Sequence, residues 1–374
     1  MNNHFNFREF EILKKGSQGT ILKANDDDGR LFAIKIDKKH SSIPPPSYSA
    51  PNPSSPQPPS LRLPSTRSSS PPTPSTSFFP SPHLKGSQMK EMEFLIDLQG
   101  IKGIPNFFWG GIDPDLERFV IVEELTGRDL EYYFNKFKKF SLTTTLKIAI
   151  QLLKILRGIH EKGVIHRDIK PENLSLSRNG KDIFLLDFGL ARRLTHRNKR
   201  NKEGKNQMKF VGNLKFCGLN AHSFKNDTKV DDLISLGILI IYFLQGRLGW
   251  DYRHNSNFSH SVEEIGFEKV NFISKSMPTL YPHLYPYFKH LCSIKNDRIN
   301  YDYLENVIES WALVEKINLN SELWDWSEEN GNRDSLKNNE KNDDEQQSSK
   351  ENFQDESGET MVSELMINYR VPNL

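Results

Sequence analysis

The chain opens on short runs in which apolar and polar positions alternate, Phe10-Glu11-Ile12-Leu13 and then Leu31-Phe32-Ala33-Ile34-Lys35-Ile36, with glycines between them. A period of two places successive side chains on opposite faces of a strand, so residues 7–37 predict antiparallel strands joined by turns. From 88 to 98 the spacing becomes helical, with Met89, Met92, Leu95 and Ile96 apolar and Gly100 just beyond. Strand-like runs return at 105–112 and 119–125. After Gly127 the pattern is helical over 130–140 and again over 142–162, where Leu146, Ile150, Leu153, Ile155, Leu156 and Ile159 recur at helical spacing. The run 183–186 predicts a short buried strand. A small sheet-built part therefore precedes a larger helical one, an α+β arrangement without internal repeats.

Two stretches break this pattern. Residues 41–82 are about three quarters Pro, Ser and Thr, and hold about two thirds of the 21 prolines. Such a segment buries too little apolar surface to offset the entropy of ordering, which predicts a disordered, locally polyproline-like insert. Residues 327–360, rich in Asn, Glu, Asp, Ser and Lys with an acidic excess, predict a disordered tail. The remainder of the 374 residues suffices for one substantial core.

The chemistry is concentrated in His166-Arg167-Asp168-Ile169-Lys170-Pro171-Glu172-Asn173, followed by Asp187-Phe188-Gly189. An Asp-Phe-Gly triplet alone is a common way for a strand to end in a loop. Joined at this spacing to the first segment, it supplies the parts of a phosphoryl-transfer site in the order protein kinases use. By that resemblance Asp168 accepts the substrate hydroxyl proton, Lys170 neutralises the γ-phosphate of ATP, and Asn173 and Asp187 hold Mg²⁺. Lys170, two residues after Asp168, points to serine and threonine rather than tyrosine as acceptors.

The rest of a kinase site has counterparts upstream. Lys14-Lys15-Gly16-Ser17-Gln18-Gly19-Thr20-Ile21 resembles a glycine-rich phosphate loop with lysine in the first glycine position. There Lys14 either extends reach toward the phosphates or stiffens the turn. Phe32-Ala33-Ile34-Lys35 matches the strand lysine motif at the expected distance. Its partner glutamate belongs on the first helix, where Glu91 and Glu93 point to different faces and only one can meet Lys35.

The sequence resembles the casein kinase 1 superfamily, including the tau-tubulin kinases, over about residues 7–38 and 88–327. Beyond the catalytic motifs, the resemblance rests on Leu98-Gln99-Gly100-Ile101-Lys102-Gly103-Ile104-Pro105 and Leu125-Thr126-Gly127-Arg128-Asp129-Leu130-Glu131. It rests further on Lys215-Phe216-Cys217-Gly218-Leu219-Asn220-Ala221-His222, where most kinases carry Ala-Pro-Glu, on Asp231-Asp232-Leu233-Ile234-Ser235-Leu236-Gly237, and on Gly246-Arg247-Leu248-Gly249-Trp250. Tyr301-Asp302-Tyr303-Leu304 and Leu323-Trp324-Asp325-Trp326 close it. The resemblance implies a bilobal kinase fold, with an N-lobe at 1–126 (a small antiparallel sheet and one helix, interrupted by the insert at 40–86), a mainly helical C-lobe at 127–327, and a tail at 328–374.

It also implies that Glu91 is the lysine partner, that Asp232 braces the backbone of the catalytic loop, and that Gly16, Gly19, Ile21, Ala33, Lys35, Glu91, Glu124, Thr126 and Asp187 contact the nucleotide. The hinge is then Glu124-Leu125-Thr126, whose backbone meets the adenine edge. Two positions depart from the family pattern. Asn213 replaces a threonine that links the substrate loop to the catalytic aspartate and lysine; an amide is still able to bond both. Glu123 takes the gatekeeper position, and a carboxylate is costly to bury there unless paired or protonated.

Net charge is only +2, but Arg192, Arg193, Arg197, Lys199, Arg200, Lys202 and Lys205 cluster against Glu203 alone. This run is a solvated loop, a nucleic-acid or nuclear-import patch, or an anion-attracting platform. The family's preference for acidic or phosphoprimed protein substrates favours the last reading over nucleic acid, with Lys215 and Arg253 as further basic positions. The acidic tail is then a candidate pseudosubstrate. Ser70-Pro71, Thr73-Pro74 and Ser81-Pro82 in the insert suit proline-directed kinases or aromatic-grooved modules. Without a basic and apolar leader, without an apolar run of the ~20 residues needed to span a bilayer, and with only Cys217 and Cys292, the expectation is an intracellular protein, cytoplasmic or nuclear, with no membrane partner. A kinase is the expected activity; a pseudokinase scaffold acting through insert and tail is the alternative.

Overall fold

The computed structural model describes residues 8–15, 19–26, 28–37, 87–113, 118–194, 210–225, 227–251, 261–295 and 298–327. The Pro/Ser-rich insert, the acidic tail, most of the basic run, Arg253 and the turn Gly16-Ser17-Gln18 lie outside them. The described chain falls into two compact units, one comprising residues up to Gln88 together with Phe108–Glu124, the other Met89–Phe107 together with Leu125 onward. From Met89 on, the first helix belongs to the second unit.

In the first unit, strands β1 (Arg8–Lys15), β2 (Gly19–Asn25), β3 (Leu31–Asp37), β4 (Phe107–Asp113) and β5 (Arg118–Glu124) form one sheet in the order β1-β2-β3-β5-β4. The β3–β5 pair is antiparallel with Lys35 opposite Ile121 and Ala33 opposite Glu123. Alternation sorts the side chains by face. Ala24, Phe32, Ile34, Val120 and Val122 cluster with Leu22, Ile36 and Trp109 on one face, which leaves Ala33, Lys35, Ile121 and Glu123 together on the other.

The second unit takes in α1 (Ser87–Asp97) from Met89 on and continues through α2 (Leu130–Phe137), α3 (Leu142–Glu161), β6 (Val164–Ile165), β7 (Leu174–Leu176), β8 (Ile183–Leu185) and β9 (Arg192–Arg193). Then come α4 (Leu219–His222), α5 (Lys229–Gln245), α6 (Val262–Asn271), α7 (Met277–Leu280), α8 (Tyr285–Ser293) and α9 (Tyr301–Val314). Helix α2 is shorter than its apolar pattern suggested, because Lys138 turns left-handed (φ 64°) and caps it onto Phe134 O. The central pair is α3 and α5, with α8 and α9 packed on them.

Helix α5 is apolar all round, as a buried helix must be. A capping box of Thr228 and Asp231 opens it, and Gly246 (φ 81°) closes it. At Gly237 a Cβ would stand 2.4 Å from the Phe288 ring, so α8 approaches α5 where only hydrogen fits. Residues 321–327 dock back onto α3. Asp325 accepts from the Ser141 and Thr144 side chains at 2.6 and 2.9 Å, and the Lys147 ammonium lies 3.8 Å from the Trp324 ring centre while donating to Ser321 O and Leu323 O. No described helix is long and apolar enough to cross a membrane.

Candidate active site

Strand β6 delivers His166-Arg167-Asp168 into a tight loop that a 3₁₀ turn at Pro171–Asn173 closes before β7. Strands β7 and β8 pair antiparallel, Leu174 opposite Leu185, and Leu186 N–H donates to Asn173 O at 2.8 Å. This short ladder sets Asn173 and Asp187 at the same end of one hairpin. Arg167 and Asp187 both adopt left-handed backbone, φ 70° and 64°. For residues with a Cβ that conformation is strained, and it persists only where surrounding bonds over-determine it.

Those bonds are present. Asp232, buried in the first turn of α5, accepts from the backbone N–H groups of His166 and Arg167, each at 2.8 Å, and from His160 Nε2 at 2.9 Å. Burial acts to raise its pKa, but the His160 bond, the electrostatic pull of His160 and His166, and the His166 amide prevail and hold it below the usual carboxylate value. His160 Nδ1 is 2.7 Å from Tyr301 Oη, which extends the brace to α9. His166 Nε2 donates to Leu186 O, while its Nδ1 accepts from Asp168 N–H. Arg167 donates through Nε to Leu190 O and pairs with Asp227 at 3.4 Å. Arg192 reaches Asp227 O, and Arg193 on β9 pairs with Asp97 on α1.

Asp168 is buried and sits at the centre. Its Oδ2 pairs with Lys170 Nζ at 2.7 Å and accepts from Asn173 Nδ2 at 2.9 Å, and Nδ2 also donates to Asp168 O at 2.8 Å. Burial acts to lower the pKa of Lys170, but the Asp168 carboxylate, with Glu172 and Asp187 nearby, carries it above its usual value. Both Asn173 bonds run through its nitrogen, so its Oδ1 accepts from no described residue. Asp187 accepts from Gly189 N–H through Oδ1, and its Oδ2 likewise accepts from no described residue. Two hard oxygen donors on adjacent strand ends fit Mg²⁺, which takes one or two protein ligands and completes its octahedron with water and phosphate. No cluster of three His, Cys, Asp or Glu groups able to hold a metal occurs among the described residues.

In the first unit, Lys35 Nζ lies 2.9 Å from Glu123 Oε1, with side-chain exposures of 14% and 4%. The Glu123 carboxylate is thus buried and paired. Of the anticipated nucleotide contacts, Ala33 and Lys35 share its face of the sheet, while Gly19, Ile21 and Glu124 lie on β2 and β5. Gly16 is outside the described residues. Glu91 is buried on α1, and Thr126 lies just past the unit boundary.

Among the described residues the Asn213 amide bonds neither Asp168 nor Lys170. Asn213 Oδ1 caps Lys215 N–H at 3.0 Å, and its carbonyl accepts from Phe216 and Cys217 N–H. A short carboxamide satisfies its own turn first, and Lys170 bonds Asp168 directly. Lys215 is also more occupied than a free basic position: its ammonium pairs with Asp251 at 2.5 Å and sits 4.0 Å from the Tyr242 ring centre.

One cluster was missed in the sequence. Lys269 on α6 is fully buried and donates to Leu214 O, Cys217 O and Cys217 Sγ at 2.9, 2.8 and 3.5 Å. His222 Nδ1 lies 2.6 Å from Val262 O, so that nitrogen carries the proton and Nε2 accepts from the Cys217 thiol at 3.2 Å. Burial brings Lys269 down to about 8 and, with the Lys269 charge, His222 down to about 3; it pushes the Cys217 thiol up. The available signal was a lysine four residues after Ile265, on the apolar side of an amphipathic helix.

The family model of the protein kinase domain matches residues 85–299, more than half of the chain. The matched region holds the catalytic loop, Asp187 and the whole of α5, while β1–β3 lie ahead of it, beyond the insert. Sheet, helical unit and catalytic loop agree with that match, and the chain belongs to the protein kinase domain family.

Proposed function

We propose that this chain is an active serine/threonine protein kinase of the casein kinase 1 type, transferring the γ-phosphate of ATP to hydroxyls of acidic or phosphoprimed proteins. The single observation that carries this reading is the Asp168 network. Lys170 and Asn173 converge on Oδ2 and on the Asp168 carbonyl, which fixes the carboxylate and leaves Oδ1 for an incoming hydroxyl. A group held this way contributes by orientation as much as by basicity.

Asp168 takes the proton of the hydroxyl as the oxygen approaches phosphorus. Lys170, kept charged by its neighbours, faces the charge on the transferring phosphoryl group. Lys35 orients the α- and β-phosphates, and the backbone that follows Glu123 takes the adenine edge. Asn173 and Asp187 would hold Mg²⁺, which would neutralise charge on the nucleotide phosphates.

Because Lys215 is committed to Asp251, the preference for anionic substrates rests on the basic run at 192–209. The rival reading, a catalytically silent scaffold, draws on Glu123 occupying Lys35. Transfer from Mg²⁺-ATP to casein, to an acidic peptide and to its neutral counterpart, followed by phosphoamino-acid analysis, separates these readings. Phosphoserine or phosphothreonine, with the acidic peptide favoured and the preference fading in high salt, supports the proposal. Phosphotyrosine, or equal use of both peptides, contradicts its finer part.

A further inference from the structure

Glu123 has one carboxylate oxygen accounted for and one not. Oε1 meets Lys35 Nζ at 2.9 Å, while Oε2 is buried and accepts no hydrogen bond from any described residue. A buried acceptor without a donor costs more than an ordinary hydrogen bond returns, so such an atom calls for a donor from beyond the described residues. Its position says which. Glu123 stands opposite Ala33 on the sheet face it shares with Lys35, and in the chain it immediately precedes the segment that meets the adenine edge.

We propose that Glu123 Oε2 is a specificity-determining acceptor for the 6-amino group of the purine base, so that this kinase selects adenine nucleotides with a side chain as well as with its backbone. The proposal rests on the nucleotide-binding reading above. An exocyclic amino group has two protons; the backbone takes one, and a carboxylate oxygen on the adjoining residue suits the other. A 6-oxo purine presents an acceptor there instead, and two acceptors facing each other in a buried site repel. Sites that hydrogen-bond a substrate group reject analogues lacking it far more sharply than apolar pockets do. The Lys35 ammonium, held on Oε1, keeps the carboxylate compensated, so the charge that does the selecting is tolerated in the buried face.

The test compares ADP with inosine diphosphate, which carries oxygen at position 6, by titration calorimetry on the full chain. Wild type is expected to bind ADP, and Glu123→Gln to narrow the ADP-to-inosine preference by about tenfold or more, since its amide can turn an N–H toward the 6-oxo group. Glu123→Thr, which removes the carboxylate with less volume, should narrow it in the same direction and carries the test if the glutamine variant fails to fold. A preference unchanged in either folded variant overturns the proposal alone, and means that water satisfies Oε2. Wild type binding neither nucleotide overturns the nucleotide-binding reading itself, and this proposal with it.

Discussion

Asp231 and Asp232 stand side by side in the first turn of α5, both buried, and each ties down a different loop. Asp232 holds the catalytic loop. Asp231 holds the segment after it, accepting from Asn220 N–H and Nδ2 at 3.0 and 2.8 Å and from Thr228 N–H at 2.8 Å. Yet the two are shifted in opposite directions: Asp232 lies below the ordinary carboxylate value, and Asp231 is raised to about 6. Burial pushes both upward. The difference is that Asp232 faces the His160 ring in addition to backbone amides, whereas Asp231 receives only neutral donors and has Asp227 nearby. One helix turn thus offers a firmly ionised brace to the chemistry and a softer one to the neighbouring loop.

The largest effect is expected at Asp232. Asp232→Asn turns an amide N–H toward either the His160 N–H or the two backbone donors, so a buried clash replaces a bond. Loss of about 3 kcal/mol in urea unfolding is expected. Transferase activity should fall by about a hundredfold, since small misplacements of a positioned group cost that much. A variant that keeps near-wild-type activity would break the comparison, because the catalytic loop would then need no brace.

The second loop depends on Lys269 as well as Asp231. Lys269→Met leaves two carbonyls without donors and should cost about 2 kcal/mol of stability in the same assay. Its KM for peptide should rise more than its KM for ATP. Equal changes in both would place the defect in the fold at large.

His222 supplies an acid limb. Its folded pKa of about 3 lies below its ordinary 6.5, so between those values the unfolded chain binds the extra proton. The stability it contributes is complete above about pH 6.5 and is lost as pH falls toward 3. Between pH 7 and 5 the loss should be about 2 kcal/mol at most, and His222→Gln should flatten it. An unchanged acid slope in that variant would remove His222 from the account.

The two aspartates are told apart most directly by their titration. Carboxyl-carbon NMR should show Asp231 titrating near 6 and Asp232 below 3.8. Stability from Asp231 is complete below its unfolded value and is lost as pH rises through 6, opposite in sign to the His222 limb. Matching midpoints would contradict the distinction.

Strands β1 to β5, helices α1 to α3 and the strand that carries Asp187 were all legible from periodicity, because each buries one face or is wholly buried. The Asp232 brace was legible from motif. What escaped was set by tertiary contact. Lys138 ends α2 early by a left-handed turn, Asn213 caps its own turn rather than the catalytic pair, and Lys269 reaches carbonyls more than fifty residues away. Glu123 was legible as an anomaly, but its pairing with Lys35 depends on strand register, which sequence alone leaves open.

The most direct test of the central claim is single-turnover transfer of the γ-phosphate from Mg²⁺-ATP to an acidic peptide by wild type and by Asp168→Asn, with ATP binding measured on both. Transfer by wild type is expected, with a fall of about a thousandfold or more in the variant and similar ATP affinity in the two. Equal rates, or wild type that binds ATP yet transfers nothing, would contradict it and favour the silent scaffold.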